Sequence, residues 1–380
     1  MQKFVVTKKE AGWRFDKYLK KLLPAVGSGF LYKMLRKKNI TLNEKKAAGN
    51  EVIAAGDSVE LFFSEETFQK FSGRGAEQSD VQKKKTGRSG GSAQQSGTGQ
   101  VQSGAQQRKT GQTEAANGRI RGESCLQYRA AFHKLKNILI IYEDENILVL
   151  NKPAGVLSQK ADRADLSLNE WMIGYLLERN EMTEEELALF RPSVCNRLDR
   201  NTSGLVLCGK SVRSSQYLSE LLRNRSLHKY YMTYVKGRIG QEITLDGYLK
   251  KEEERNRSEI IPEAVYQRMI SEKPEIGKEY KRIETVIRPL FYLRERDCTK
   301  LEVLLVTGKS HQIRAHLASL GHPVLGDRKY GWKPERREDM AFEYQLLHAY
   351  RVEFPDAEGE FAYLSGKCLT VPLPENWKLE

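Results

Sequence analysis

Asp199 is the residue on which any chemistry would turn. It lies in Asn196-Arg197-Leu198-Asp199-Arg200-Asn201-Thr202-Ser203-Gly204-Leu205-Val206-Leu207, a single carboxylate between two arginines, with an apolar strand-like run directly after it. A turn of this kind holds an ionised acid at the lip of a sheet, where it can serve as base or nucleophile. A partner is available further along, in Val306-Thr307-Gly308-Lys309-Ser310-His311-Gln312-Ile313-Arg314-Ala315-His316-Leu317. There the spacing predicts a short helix capped by Ser310, burying Ile313, Leu317 and Leu320, and ended by Gly321 and Pro323. His311 and Arg314 are three apart on one face, so Arg314 is a candidate to pair with Asp199.

Other chemistries fit poorly. His311, His316 and His322 stand five and six residues apart, unsuited to two ligands on one helical face, and no cysteine or acid completes a metal set. There is no G-x-S-x-G elbow for a serine hydrolase, no phosphate-binding glycine loop, and only one carboxylate where a glycosidase needs two. Neither a metal nor a cofactor is expected.

The elements that must position Asp199 begin near residue 136. Ile138–Tyr142 and Ile147–Leu150 flank a polar turn and read as a hairpin. A helix is predicted over Leu168–Arg179, a strand over Leu205–Leu207, a helix over Val212–Leu222, and strands over Tyr230–Val235, Thr285–Arg288 and Leu301–Val306. Helices and strands mix without a βαβ period, so the expected fold class is α+β, with a largely antiparallel sheet and flanking helices over 136–375.

Residues 12–63 form a smaller α+β unit: a helix ended by Pro24, a second helix capped by Ser28, and strand-like pieces at 40–43 and 58–62. The second helix carries Lys33, Arg36 and Lys37 opposite its apolar face, with Lys38 next to them. Together with Arg14 these are candidate contacts to a phosphate backbone. Residues 72–124 are rich in Gly, Ser, Gln and Thr and poor in aliphatic residues, so they read as a flexible linker.

Charge follows this division. Lys and Arg outnumber Asp and Glu by 13 to 6 over residues 1–64, by 10 to 6 over 65–124, and by only 40 to 38 over the remaining 256 residues. The basic excess therefore sits ahead of the largest domain, as expected of a module that grips a phosphate backbone. The five cysteines are scattered, with no C-x-x-C pair, which fits a reducing compartment. The first residues lack the apolar core of a signal peptide, and no apolar run approaches the roughly 18 residues of a membrane span. A soluble, cytoplasmic protein with a polyanionic partner and no membrane span is expected, a monomer being the simplest state.

Three blocks, RLDRNTSGLVL, KYYMTYVKG and GKSHQIRAHLASLGHPVLGDRKYG, occur in that order after a Lys-Pro-Ala-Gly loop at residues 152–155. They resemble the signature blocks of RluA-type pseudouridine synthases over roughly residues 136–350. The unit at 12–63 resembles the RNA-binding domain named after ribosomal small-subunit protein four. The resemblance implies an isomerase that converts uridine to pseudouridine in RNA without metal or cofactor, most plausibly in large-subunit ribosomal RNA. It implies Asp199 as the catalytic aspartate, Tyr231 as the tyrosine that contacts the base, Arg314 as the arginine paired with the aspartate, and Arg197 as an RNA contact near the flipped nucleotide. Asn196 stands where histidine is usual and Lys309 where arginine is common. A transfer-RNA pseudouridine synthase and a non-catalytic RNA-binding assembly factor are the alternatives.

Overall fold

The computed structural model describes residues 1–72, 125–162, 164–254, 256–377 and 379. Apart from Ser72, the expected linker over 72–124 lies outside the described residues. The chain divides into two compact units, one of Met1–Arg129 with Leu176–Arg191, the other of Ala130–Tyr175 with Pro192–Glu380.

In the first unit the helix Phe15–Leu22 buries Phe15, Tyr18, Leu19 and Leu22, the i, i+3, i+4, i+7 stripe of an amphipathic helix. The second helix, Ser28–Arg36, buries Leu31, Met34 and Leu35. Gly27, not Ser28, is its N-cap, and no side-chain cap bond forms. Strands β1 (Gln2–Val5), β2 (Ile40–Leu42), β3 (Lys45–Lys46) and β4 (Ser58–Leu61) make an antiparallel sheet in the order β1-β4-β2-β3. The apolar core joins Leu19, Leu31, Ile40 and Val59, and it takes in Val6 and Phe68 as well. The folded module is thus wider than residues 12–63, because β1 and the helix Glu65–Ser72 supply part of the core.

The second unit is built on a mixed sheet of strands β5 (Leu139–Glu143), β6 (Ile147–Lys152), β7 (Ser193–Val194), β8 (Ser203–Gly209), β9 (His228–Lys236), β10 (Ile243–Glu252), β11 (Arg257–Ile261), β12 (Lys281–Leu293), β13 (Cys298–Leu305), β14 (Leu347–Glu353) and β15 (Cys368–Thr370). Their order is β11-β10-β12-β13-β9-β14-β8-β6-β5, with β15 on β14 and β7 on β8. Pairing is antiparallel except between β8 and β14, which run parallel. The fold is α+β, and the β5–β6 hairpin and the strands at β8, β9, β12 and β13 stand where the sequence puts them. The hairpin β10–β11, the helix Glu263–Glu272 and strands β14 and β15 are additions that the reading did not contain.

Two local features set the sheet's centre. Strand β8 is buried along its whole length, as a strand covered on both faces must be. Its Leu205 and Leu207 join Ile147, Val149, Leu218 and Leu221, the last two from the helix Val212–Asn224. That helix opens with a reciprocal cap between Ser211 and Ser214. Gly204 has φ +114°, and a Cβ there would stand 2.2 Å from the carbonyl oxygen of Ala349. Only glycine lets β8 and β14 approach at this point.

Candidate active site

The loop that carries Asp199 is pinned at its backbone on both sides. Lys152, at the end of β6, is fully buried and donates to the carbonyls of Pro153, Val156 and Arg200 at 2.9, 2.7 and 2.9 Å. Burial pulls its pKa down to about 7, against the opposing pull of the Asp199 carboxylate. Three carbonyl acceptors are what a protonated amine needs in a dry site. On the other side of Asp199, the Ser158 hydroxyl donates to the Leu198 carbonyl and accepts from the Leu198 amide, at 2.9 and 3.0 Å. Asn196 then ties the loop to β8, accepting from the Leu207 amide at 2.7 Å and donating to the Leu205 carbonyl at 3.3 Å. Asn196, the departure from the family's usual histidine, thus has a backbone-holding role that a carboxamide suits. The backbone around Asp199 has little freedom left.

Arg314 reaches this loop from the helix Gln312–Ser319. Its Nη1 donates to Asp199 Oδ2 at 2.9 Å, while Nε and Nη2 donate to Asp327 Oδ2 and Oδ1 at 2.6 and 2.9 Å. Arg314 and Asp327 are both buried, and the guanidinium carbon lies 5.0 Å from the centre of the Tyr330 ring. Burial opposes the Arg314 charge, but the bonds and charge of Asp327, with Asp199 behind them, carry its pKa above the ordinary value. The predicted pairing of Asp199 with Arg314 is therefore present. Asp327, which was read only as part of a motif, is the stronger partner.

Two details of this helix differ from the sequence reading. Ser310 is not its cap: His311 occupies that position with φ +56°, and no side-chain cap bond forms. Leu320 is 41% exposed and lies beyond the buried face, which ends at Leu317. A positive φ at a histidine is a strained choice. It turns the ring so that Nδ1 meets the Tyr330 hydroxyl at 3.0 Å and Nε2 stands 3.8 Å from Asp199 Oδ2. Burial lowers the His311 pKa, partly offset by Asp199. The three histidines take separate partners: His316 meets the Thr285 hydroxyl and His322 the carbonyl of Lys236.

Tyr231 stands on β9, opposite Val303 of β13 and Ala349 of β14. Its ring is buried, and burial, helped by the Asp199 charge, pushes its hydroxyl pKa well above the usual tyrosine value. Asp199, Tyr231, Arg314 and Arg197 all line one open cleft of about 930 Å³. Arg197 is exposed at the cleft and has no ion-pair partner among the described residues. The remaining candidates belong to the first unit. Lys33, Arg36, Lys37 and Lys38 are exposed there and unpaired among the described residues, while Arg14 bonds to Asp16 at 3.2 Å. Composition could not flag Lys152, Ser158 or Asp327, because each acts through a tertiary contact.

A half-buried carboxylate held by a buried guanidinium beside a tyrosine, in a cleft lined with cations, is suited to a nucleotide whose sugar meets the acid. The model of the RNA pseudouridylate synthase family matches residues 146–319, which contain all three of these side chains. An uncharacterized RNA pseudouridine synthase of Mycoplasma pneumoniae is 27% identical over 93% of this chain and 88% of its own. Ribosomal large subunit pseudouridine synthase C of Rickettsia typhi is 26% identical over 90% of this chain and 88% of its own. Ribosomal large subunit pseudouridine synthase D of Xylella fastidiosa is 32% identical over 57% of this chain and 61% of its own. Over residues 146–319 the chain is thus similar to the RNA pseudouridylate synthase family, and relatives named as RNA pseudouridine synthases span nine-tenths of it. It is an isomerase that acts on RNA.

Proposed function

We propose that this enzyme isomerises uridines in large-subunit ribosomal RNA, with Asp199, Tyr231 and Arg314 as its catalytic residues. The observation that carries the assignment of roles is the 2.9 Å bond from Arg314 to Asp199 at the cleft that Tyr231 lines. The choice of ribosomal RNA is supported by the naming of relatives that cover nine-tenths of the chain and by the basic first unit, which we assign as an RNA-binding module of the small-subunit protein four type. Lys33, Arg36, Lys37, Lys38 and Arg14 are its proposed contacts, and Arg197 is the contact beside the target nucleotide.

The reaction breaks the bond between C1′ of the ribose and N1 of uracil, turns the base, and forms a bond from C1′ to C5. The C5 proton leaves and N1 gains one, so atoms and electrons balance with no cofactor. The target base must first leave its stack, which costs a few kcal/mol. Cationic side chains along the cleft offset that cost. Asp199 then meets the sugar with an ionised oxygen, either as nucleophile at C1′ or as base toward a sugar proton. Arg314, clamped by Asp327, fixes which oxygen faces the sugar. Tyr231 keeps its proton at neutral pH, because burial disfavours the phenolate. It acts as a stacking face and hydrogen-bond donor rather than a standing base. The enzyme works as a cytoplasmic monomer.

Site-resolved mapping of pseudouridine after incubation with ribosomal RNA and with transfer RNA tests the proposal. New pseudouridine in large-subunit RNA, lost with Asp199→Asn, is expected. Product in transfer RNA alone, or product that survives Asp199→Asn, refutes it.

A further inference from the structure

The cleft is lined by nine lysine and arginine side chains and by one carboxylate, Asp199. That carboxylate is already engaged by Arg314, and although Lys251 and Arg223 pair with Glu253 and Glu220 and Arg314 with Asp327, the lining itself is strongly cationic. Most of these cations are exposed and could serve as a diffuse electrostatic surface. Lys229 differs. It is half-buried, and burial lowers its pKa, yet it has no hydrogen-bond or ion-pair partner among the described residues. An ammonium drawn partly out of water without a partner is costly, and such groups are normally paired. Its partner is therefore to be sought in what enters the cleft.

Its position narrows the ligand. Lys229 and Tyr231 are two apart on β9 and share one face, so both point into the cleft, while Tyr230 between them bonds to Glu353 on the opposite face. Two residues of strand separate their Cα atoms by about 6.6 Å. The ammonium lies against Gly308: a Cβ at that glycine would stand 3.5 Å from Nζ. The bare backbone at Gly308 leaves the ammonium open on the cleft side.

We propose that Lys229 is a substrate-positioning residue whose ammonium binds a non-bridging oxygen of the backbone phosphate next to the nucleotide held at Asp199 and Tyr231. The phosphate is the anion that RNA brings within one nucleotide of the reacting sugar, and the cleft offers Lys229 no acid in its place. Lys229 does not touch the reacting atoms. It fixes the register in which one uridine, rather than its neighbour, is presented. The inference rests on the reading of this cleft as the entry of the target nucleotide.

The test uses the full chain and a short RNA containing a uridine that the wild-type enzyme modifies. Absence of wild-type product would count against the proposed substrate, not against Lys229. Given wild-type turnover, Lys229→Gln is expected to lower kcat/KM by roughly ten- to a hundredfold, mostly through KM. It should also make the slope of log kcat/KM against log salt shallower by about 0.7, the share of one single-strand phosphate. Lys229→Arg should restore most of the loss. Replacing one of the two flanking phosphates by a neutral methylphosphonate should cost the wild type a similar factor and cost Lys229→Gln almost nothing. An unchanged salt slope, or equal methylphosphonate penalties in both proteins, overturns the proposal. Should Lys229→Gln fail to fold, the wild type alone decides: no penalty from either methylphosphonate also overturns it.

Discussion

Arg314 and Asp327 form a buried two-point ion pair, with bonds of 2.6 and 2.9 Å, and it leaves one guanidinium nitrogen free to hold Asp199. The Asp199 carboxylate is thus oriented by an arginine that is itself immobilised. A lysine, with one compact charge, cannot bridge the two acids in this way.

Arg314→Lys should therefore lower kcat by roughly a hundredfold while RNA affinity stays within a few-fold. Breaking the buried pair should also cost about 3–5 kcal/mol of stability. Single-turnover kinetics and denaturant unfolding separate the two effects. An unchanged kcat would show that the clamp has no part in turnover.

Asp199→Asn removes the charge but keeps the shape. Turnover should fall by roughly a hundredfold or more, with RNA binding and melting temperature close to wild type. Loss of binding in parallel with turnover would mean that the carboxylate supports the fold rather than the reaction.

Lys152→Met leaves the carbonyls of Pro153 and Val156 without their donor, while that of Arg200 keeps the Gly155 amide. Each orphaned acceptor costs roughly 1–3 kcal/mol, so a loss of several kcal/mol is expected, together with a large fall in kcat. Full activity in a stably folded variant would contradict the role of this lysine in holding the Asp199 loop.

Burial lowers the pKa values of His316 and His348 from 6.5 to about 4. Both are neutral in the folded protein at neutral pH, and the unfolded chain binds protons more readily. Their contribution is fully present above pH 6.5 and is lost as the pH falls toward about 4. Each histidine adds about 1.4 kcal/mol of lost stability per pH unit within that window. Unfolding free energies between pH 7 and 5, where few carboxylates titrate, should show the slope. A flat profile would contradict the burial of these two rings.

Neutralising Lys33, Arg36 and Lys37 should weaken RNA binding and reduce its salt slope by about two, the share of three single-strand phosphates. Equilibrium binding across a salt series measures this. An unchanged slope would remove the first unit's helix from the RNA-binding surface.

The sequence carried the local part of this structure well. Short apolar runs bounded by polar turns marked the hairpin at Ile138–Leu150 and the strands near Leu205, Tyr231 and Leu301, most of which the sheet buries. The pairing of Asp199 with Arg314 was legible only as a possibility, since 115 residues separate them. What stayed hidden depends on neighbours distant in the chain. The role of Asp327 is set by Arg314, that of Lys152 by three carbonyls, and the strain at His311 by Tyr330. Strand β14 was missed because its half-polar composition takes its place in the sheet from β8 and β9, which flank it.

That last strand has a consequence for how the enzyme comes into being. Asp199 belongs to the side of the sheet built from β5, β6 and β8, whereas Tyr231 and Arg314 belong to the side built from β9 to β13. Among the described residues, β14, running beside β8 at Gly204 and against β9 at Tyr231, is the strand that joins the two sides of the sheet. During synthesis the three side chains are therefore all made before the seam that unites them. A chain interrupted ahead of Leu347 holds Asp199, Tyr231 and Arg314 without the strand that brings their two sides together, so their assembly waits for β14.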